Sequence, residues 1–165
     1  MKKATYIFPA LFLIVFSACV RPPSDSQTTN ATAKPVDTTL TTKIKIAEPI
    51  ALGSPIEMTF TVYNTTTSAK TFCKWHTPFE PLMSKYLTIY ANTAEEVSYK
   101  GPMAKRMMPP PADSYLTIKP GDSLSVKVDL SKAYEFKLTG VHTILYNSGS
   151  ISGLNIAEPV SFVIQ

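Results

Sequence analysis

Ile56-Glu57-Met58-Thr59-Phe60-Thr61-Val62-Tyr63-Asn64 alternates apolar and polar side chains over a full strand length. Successive side chains of a strand point to opposite faces, so Ile56, Met58, Phe60 and Val62 share one face. The period is two rather than that of a helix, which predicts a half-buried strand with one wet side. Just upstream, Thr41-Thr42-Lys43-Ile44-Lys45-Ile46 repeats the alternation. Downstream, Asn64-Thr65-Thr66-Thr67-Ser68 reads as a turn.

The same reading extends to further strands at 70–75, 86–91, 97–100, 115–118, 123–130, 140–146 and 160–164. Lys119-Pro120-Gly121-Asp122 joins two of them. Pro120 fixes φ at the first corner of that turn and Gly121 accepts a positive φ at the second. Only Leu130-Ser131-Lys132-Ala133-Tyr134 has the makings of a helical turn, and no internal repeat is present. Many short strands separated by turn signals predict an all-β chain, an immunoglobulin-like antiparallel β-sandwich of about seven to nine strands.

Residues 102–113 break the pattern. They hold Met103, Lys105, Arg106, Met107 and Met108, followed by Pro109-Pro110-Pro111. Three consecutive prolines cannot pair inside a sheet and favour an extended conformation, so this segment is expected to be an irregular crossover or edge.

The amino terminus sets the compartment. Met1-Lys2-Lys3 is a positive start, residues 4–16 are almost wholly apolar, and Ser17-Ala18 precede Cys19. That order marks a secretory signal segment, residues 1–18, and its apolar run is shorter than the roughly 20 residues of a spanning helix. Phe16-Ser17-Ala18-Cys19 resembles the lipobox of bacterial lipoproteins, with Phe16 in place of the usual Leu. The resemblance implies that Cys19 is acylated and anchors the chain to a membrane. Val20 after it, rather than Asp, favours the outer membrane where the host has one. Residues 19–39 are rich in Pro, Ser, Thr and Asn and read as a lipidated cysteine and flexible tether. Residues 40–165 are then the folded domain.

The formal charge is +4, and Lys2 and Lys3 supply two of those charges. The remaining charges are scattered rather than clustered, which argues against a nucleic-acid partner. There are two cysteines. With Cys19 acylated, Cys73 has no intramolecular partner, and its neighbours Phe72 and Trp75 favour burial.

Catalytic templates fail. The sequence has no His-Glu-x-x-His, Gly-x-Ser-x-Gly, phosphate loop or dinucleotide fingerprint, and its two histidines, His76 and His142, are far apart. The expectation is a protein that is not an enzyme and needs no cofactor. Cys73 with His76, or Met103, Met107 and Met108 as soft ligands, could seed a metal site, but neither set is complete. Asn30-Ala31-Thr32 and Asn64-Thr65-Thr66 match a glycosylation pattern that the abundance of Thr explains.

Four stretches form a more distinctive series: residues 74–80 (Lys74-Trp75-His76-Thr77-Pro78-Phe79-Glu80), 97–106, 113–123 and 128–134. Together they resemble the amino-terminal, propeptide-like β domain of bacterial deuterolysin-type (aspzincin) peptidyl-lysine metalloendopeptidases, over about residues 43–146. Lys74, Trp75, Pro78, Glu80, Gly101, Asp113, Tyr115, Pro120 and Gly121 carry the motif. Those proteases follow this domain with a zinc-binding His-Glu-x-x-His catalytic domain, and no such motif occurs here. The resemblance therefore implies a binding module acting on a secreted metalloendopeptidase in trans, by inhibition or folding assistance.

For that role, Lys105 and Arg106, flanked by Met107 and Met108, are the expected contact residues, with a basic side chain at the tip of a proline-stiffened loop. A general envelope assembly module and a small metal-binding lipoprotein are the competing expectations. Trp75, the single tryptophan, is expected to be the keystone of the core.

Overall fold

In the computed structural model, residues 40–147, 151–154 and 158–165 are described. The expected signal segment, Cys19 and the tether to residue 39 lie outside them.

The described residues form eleven strand segments in antiparallel pairs. One sheet has the order β1 (Thr41–Ile46), β2 (Glu57–Tyr63), β8 (Ser123–Asp129). A second has the order β11 (Val160–Ile164), β10 (Gly140–Tyr146), β4 (Leu87–Ala91), β5 (Glu95–Glu96). Two further ladders pair β3 (Lys70–Cys73) with β7 (Tyr115–Ile118) and β6 (Ser98–Tyr99) with β9 (Tyr134–Glu135).

The alternation in β2 works as the sequence predicts. Met58, Phe60 and Val62 are fully buried, and Lys43↔Thr61 and Thr61↔Ser125 pair on the opposite face. Across the interior they join Leu87, Ile89, Ile144, Phe162 and Ile164 of the second sheet in one cluster. Phe60 meets Tyr146 there, with ring centroids 5.5 Å apart. Each such buried aromatic or aliphatic side chain contributes about 1.5–3 kcal/mol through removal of apolar surface from water. The architecture is an immunoglobulin-like sandwich of antiparallel sheets.

Several ends differ from the sequence reading, each for a local reason. The strand expected over 70–75 stops at Cys73, because the chain turns at His76, whose φ is +57°. The one expected over 97–100 is reduced to Ser98–Tyr99, since Val97 still bonds back to Ile89 while Lys100 bonds to Ala133. β8 stops at Asp129, which caps a short 3-10 turn, Leu130–Lys132, where the sequence places its one helical turn. The Lys119–Asp122 turn forms as expected, with Gly121 at φ +73° and Asp122 N–H on the Lys119 carbonyl at 3.2 Å. Residues 100–111 contain no strand, in keeping with the proline run.

Candidate functional site

The site is the irregular segment 100–111 together with the turn that holds it, residues 74–80. That turn is wired through its own side chains. Thr77 Oγ1 donates to the Lys74 carbonyl at 2.6 Å and accepts from the Phe79 N–H at 3.1 Å. The left-handed backbone at His76 aims its N–H at Glu80 Oε1, 2.9 Å away, and its carbonyl accepts from Tyr146 Oη at 2.9 Å. The contribution of His76 is thus made by its backbone. Pro78 is buried, and Phe79 packs against Phe60 and Phe72 with centroids 6.0 and 5.4 Å apart.

This turn buries a carboxylate. The side chain of Glu80 is 5% exposed, and its Oε2 pairs with Nη2 of Arg106, itself 21% exposed. The same guanidinium lies over Trp75, with Cζ 4.9 Å from the ring centroid. A buried carboxylate needs a partner with several donors, and the flat guanidinium serves the carboxylate and the indole face at once. Trp75 is buried but lies outside the central cluster, packed under Arg106 at the base of the segment. The keystone expectation is corrected accordingly: Phe60, Phe72 and Tyr86 fill the interior.

The expectation of a Lys105–Arg106 pair at the loop tip is corrected too. Lys105 is exposed, whereas Arg106 turns inward to Glu80 and Trp75. Met103, Met107 and Met108 are 70%, 86% and 63% exposed. At this exposure they add nothing to the core.

The other motif residues support the segment. Gly101 lies where a Cβ would overlap the Tyr99 hydroxyl and sit 2.9 Å from the Ala133 Cβ, so any larger residue forces a neighbour to move. Tyr99 Oη lies 3.0 Å from the Leu82 carbonyl and 2.8 Å from that of Pro102. Lys74 Nζ donates to the Asp113 carbonyl at 3.0 Å, and its N–H to that of Ser114 at 2.8 Å. Tyr115 pairs with Cys73 in the β3–β7 ladder, and Pro120 and Gly121 form the distant turn described above. A groove of about 420 Å³ runs beside the segment, lined by Lys85, Glu96, Tyr99, Lys100 and Met103 among others.

Cys73 is fully buried in β3, and burial pushes its thiol pKa up. His142 is buried in β10, stacked on Phe162 at 5.4 Å, with Nδ1 3.1 Å from the Gly140 carbonyl. Among the described residues, no group of three or more His, Cys, Asp and Glu side chains is placed to hold a metal ion.

One structural node escapes the sequence reading. Asn64 is buried, and its Nδ2 reaches the carbonyls of Ser68, Ile118 and Lys119 at 2.8, 3.0 and 3.2 Å. The amide that a glycosylation pattern would require is therefore committed to joining two turns. A buried Asn at the end of an alternating strand was the available signal.

No curated protein matches the chain. A family model for an immunoglobulin-like domain matches residues 43–143, which span β1 through most of β10 and include the whole of the 74–111 site. With the two antiparallel sheets and their shared core, this match shows that the chain belongs to the immunoglobulin-like domain family.

Proposed function

We propose that this protein is a non-catalytic binding module, anchored in the cell envelope through acylated Cys19, whose segment 100–111 docks onto a secreted metalloendopeptidase in trans. The observation that carries the reading is the presentation of Met103, Met107 and Met108 on a segment clamped by Glu80, Arg106 and Trp75. Exposed methionines on a stiff backbone suit a contact surface: the thioether adapts to its partner, and little ordering entropy is lost on binding. Lys105, with Lys100 at the start of the segment, adds outward positive charge. The likeness of residues 74–80, 97–106 and 113–123 to a protease propeptide domain supplies the class of partner. Inhibition and folding assistance are the two outcomes that such docking allows. The lipobox-like Phe16–Cys19 supports the anchor, and Val20 favours the outer membrane.

The test is titration of the protein against a lysine-directed zinc metalloendopeptidase. Saturable binding or inhibition is expected, weakened by Lys105→Ala and Met107→Ala with the fold intact. A well-folded protein that neither binds nor inhibits would leave a general envelope module as the better reading.

A further inference from the structure

The two sheets turn very different outer faces to solvent. On the β1–β2–β8 sheet the outward residues include Lys43, Lys45, Glu57 and Lys127, with Glu57 and Lys127 ion-paired at 2.7 Å. This is a solvated face of the ordinary kind. On β4, β10 and β11 of the other sheet the outward residues are Thr88 and Tyr90, then Val141, Thr143 and Leu145, then Ser161 and Val163. None is charged. Val141 and Val163 face each other across the strands and are 46% and 43% exposed. Thr143 Oγ1 and Ser161 Oγ lie 3.1 Å apart, with Tyr90 on the other side of Thr143. Charge is confined to the rims: Glu96 of β5, opposite Tyr90 and paired with Lys85, and Glu48, whose carboxylate accepts from the Val163 N–H.

From this we infer that the β4–β10–β11 face is an interaction surface for a second copy of the same chain, packed face to face about a two-fold axis near Thr143. Charge depletion, with Tyr90 at the centre and exposed Val141 and Val163 beside it, fits an interface core better than a wet sheet. The choice of a second copy follows from complementarity. A two-fold contact presents every group to its own kind, so a charged face would repel itself. Hydroxyls both donate and accept, so Thr88, Tyr90, Thr143 and Ser161 can meet their own counterparts without a mismatch. The contact is through the face because the outer edge of β11 is occupied. Val163 N–H donates to Glu48 Oε1 at 3.1 Å, Gln165 N–H to the Ile50 carbonyl, and Leu52 N–H to the Gln165 carbonyl. Three strands of this length cover only a few hundred Å² per copy, below the roughly 800 Å² of a standard interface, so the dimer is weak and best trapped covalently.

The test is cross-linking in intact cells that make the full chain in two differently tagged copies. Thr143→Cys is treated with a short bis-maleimide and compared with the parent and with Thr59→Cys on the charged face. The expected result is a cross-linked dimer containing both tags from Thr143→Cys alone. Adding Val141→Lys and Val163→Lys should lower its yield at least about tenfold, because four like charges then face each other, with chain accumulation unchanged. Equal yields from Thr59→Cys, no dimer from Thr143→Cys, a cross-link to a different protein, or a yield unmoved by the two lysines would each overturn the inference. Should the double lysine variant fail to accumulate, Thr143→Cys against Thr59→Cys decides alone.

Discussion

Arg106 lies flat over Trp75, with its guanidinium carbon 4.9 Å from the centre of the indole, and the same group neutralises the buried carboxylate of Glu80. A residue that looks like an exposed basic contact is therefore the bolt of the segment, and Lys105 is left as the charge presented outward. Removing one member of a buried ion pair strands the other. Arg106→Ala is expected to cost about 3–5 kcal/mol, and Arg106→Lys to recover only part of it, because an ammonium reproduces neither the stacking nor the fork of donors. Urea midpoints read the cost, and the fluorescence of Trp75, the single tryptophan, reads the local change. A midpoint for Arg106→Ala within about 0.5 kcal/mol of the parent would show that the clamp contributes nothing.

Asn64 ties the turn after β2 to the turn before β8, its amide reaching three carbonyls while Oδ1 accepts from the N–H and hydroxyl of Thr66 at 3.1 and 2.7 Å. Asn64→Asp keeps the shape and the acceptor but replaces the donor with an oxygen that faces carbonyl oxygens. A loss of about 2–3 kcal/mol is expected, since buried acceptors lose their partners. Chemical denaturation of this near-isosteric variant checks it. A parental midpoint would mean that the two turns stand without the amide.

These two nodes mark the limit of what the sequence discloses. Period-two alternation exposes β2 because its buried face is apolar and its opposite face is not, and Pro120-Gly121 exposes a turn because only those residues suit its dihedral angles. β5 was not legible: Glu95-Glu96 has no apolar face, and its pairing follows from left-handed Asn92 and Thr93 in the preceding turn. Nor was the inward direction of Arg106, which depends on a carboxylate 26 positions away. Local pattern carries no information about a pair at that separation. The residues of the site were visible as a motif, while their directions were set by tertiary contacts.

Cys73 is fully buried opposite Tyr115, and loss of solvent raises its thiol pKa, with the negative charge of Glu80 adding to the effect while the Trp75 backbone, Arg106 and Lys74 oppose it. The thiolate is the reactive form, so the native protein should leave Cys73 unmodified by a maleimide at neutral pH and react fully once unfolded in urea. Mass analysis of the peptide containing Cys73 gives the answer. Rapid labelling under native conditions would contradict the burial described here.

Asp129 caps the 3-10 turn after β8. Burial acts to raise its pKa, but the hydroxyl and N–H of Ser131 and the N–H of Ile56, at 2.6, 3.1 and 3.1 Å, outweigh it and hold the carboxyl below its ordinary value. A folded-state pKa below the unfolded one stabilises the fold above the unfolded value, about pH 4, and that contribution fades as pH falls through the lower folded value. Asp129→Asn removes the titration. It should therefore cost stability at neutral pH and narrow its gap to the parent on acidification below about pH 4. Urea midpoints across that range test the sign, and a gap that widens on acidification would refute it.

Gly101 opens the segment by passing against Tyr99 and Ala133 where a Cβ forces a neighbour to move. Gly101→Ala should cost about 1–3 kcal/mol through overpacking, because Tyr99 is held in place by its hydroxyl bonds near Leu82 and Pro102. Tyr99→Phe alone should cost about 1 kcal/mol for the single proton that the hydroxyl shares between those carbonyls. The informative measurement is the double variant. Removing the hydroxyl frees the ring to yield to the new methyl group, so the combined loss should fall short of the sum by at least about 0.5 kcal/mol. Strict additivity would place the cost of Gly101→Ala at Ala133 or in the backbone, and Tyr99 would then be a neighbour of the segment and not its gate.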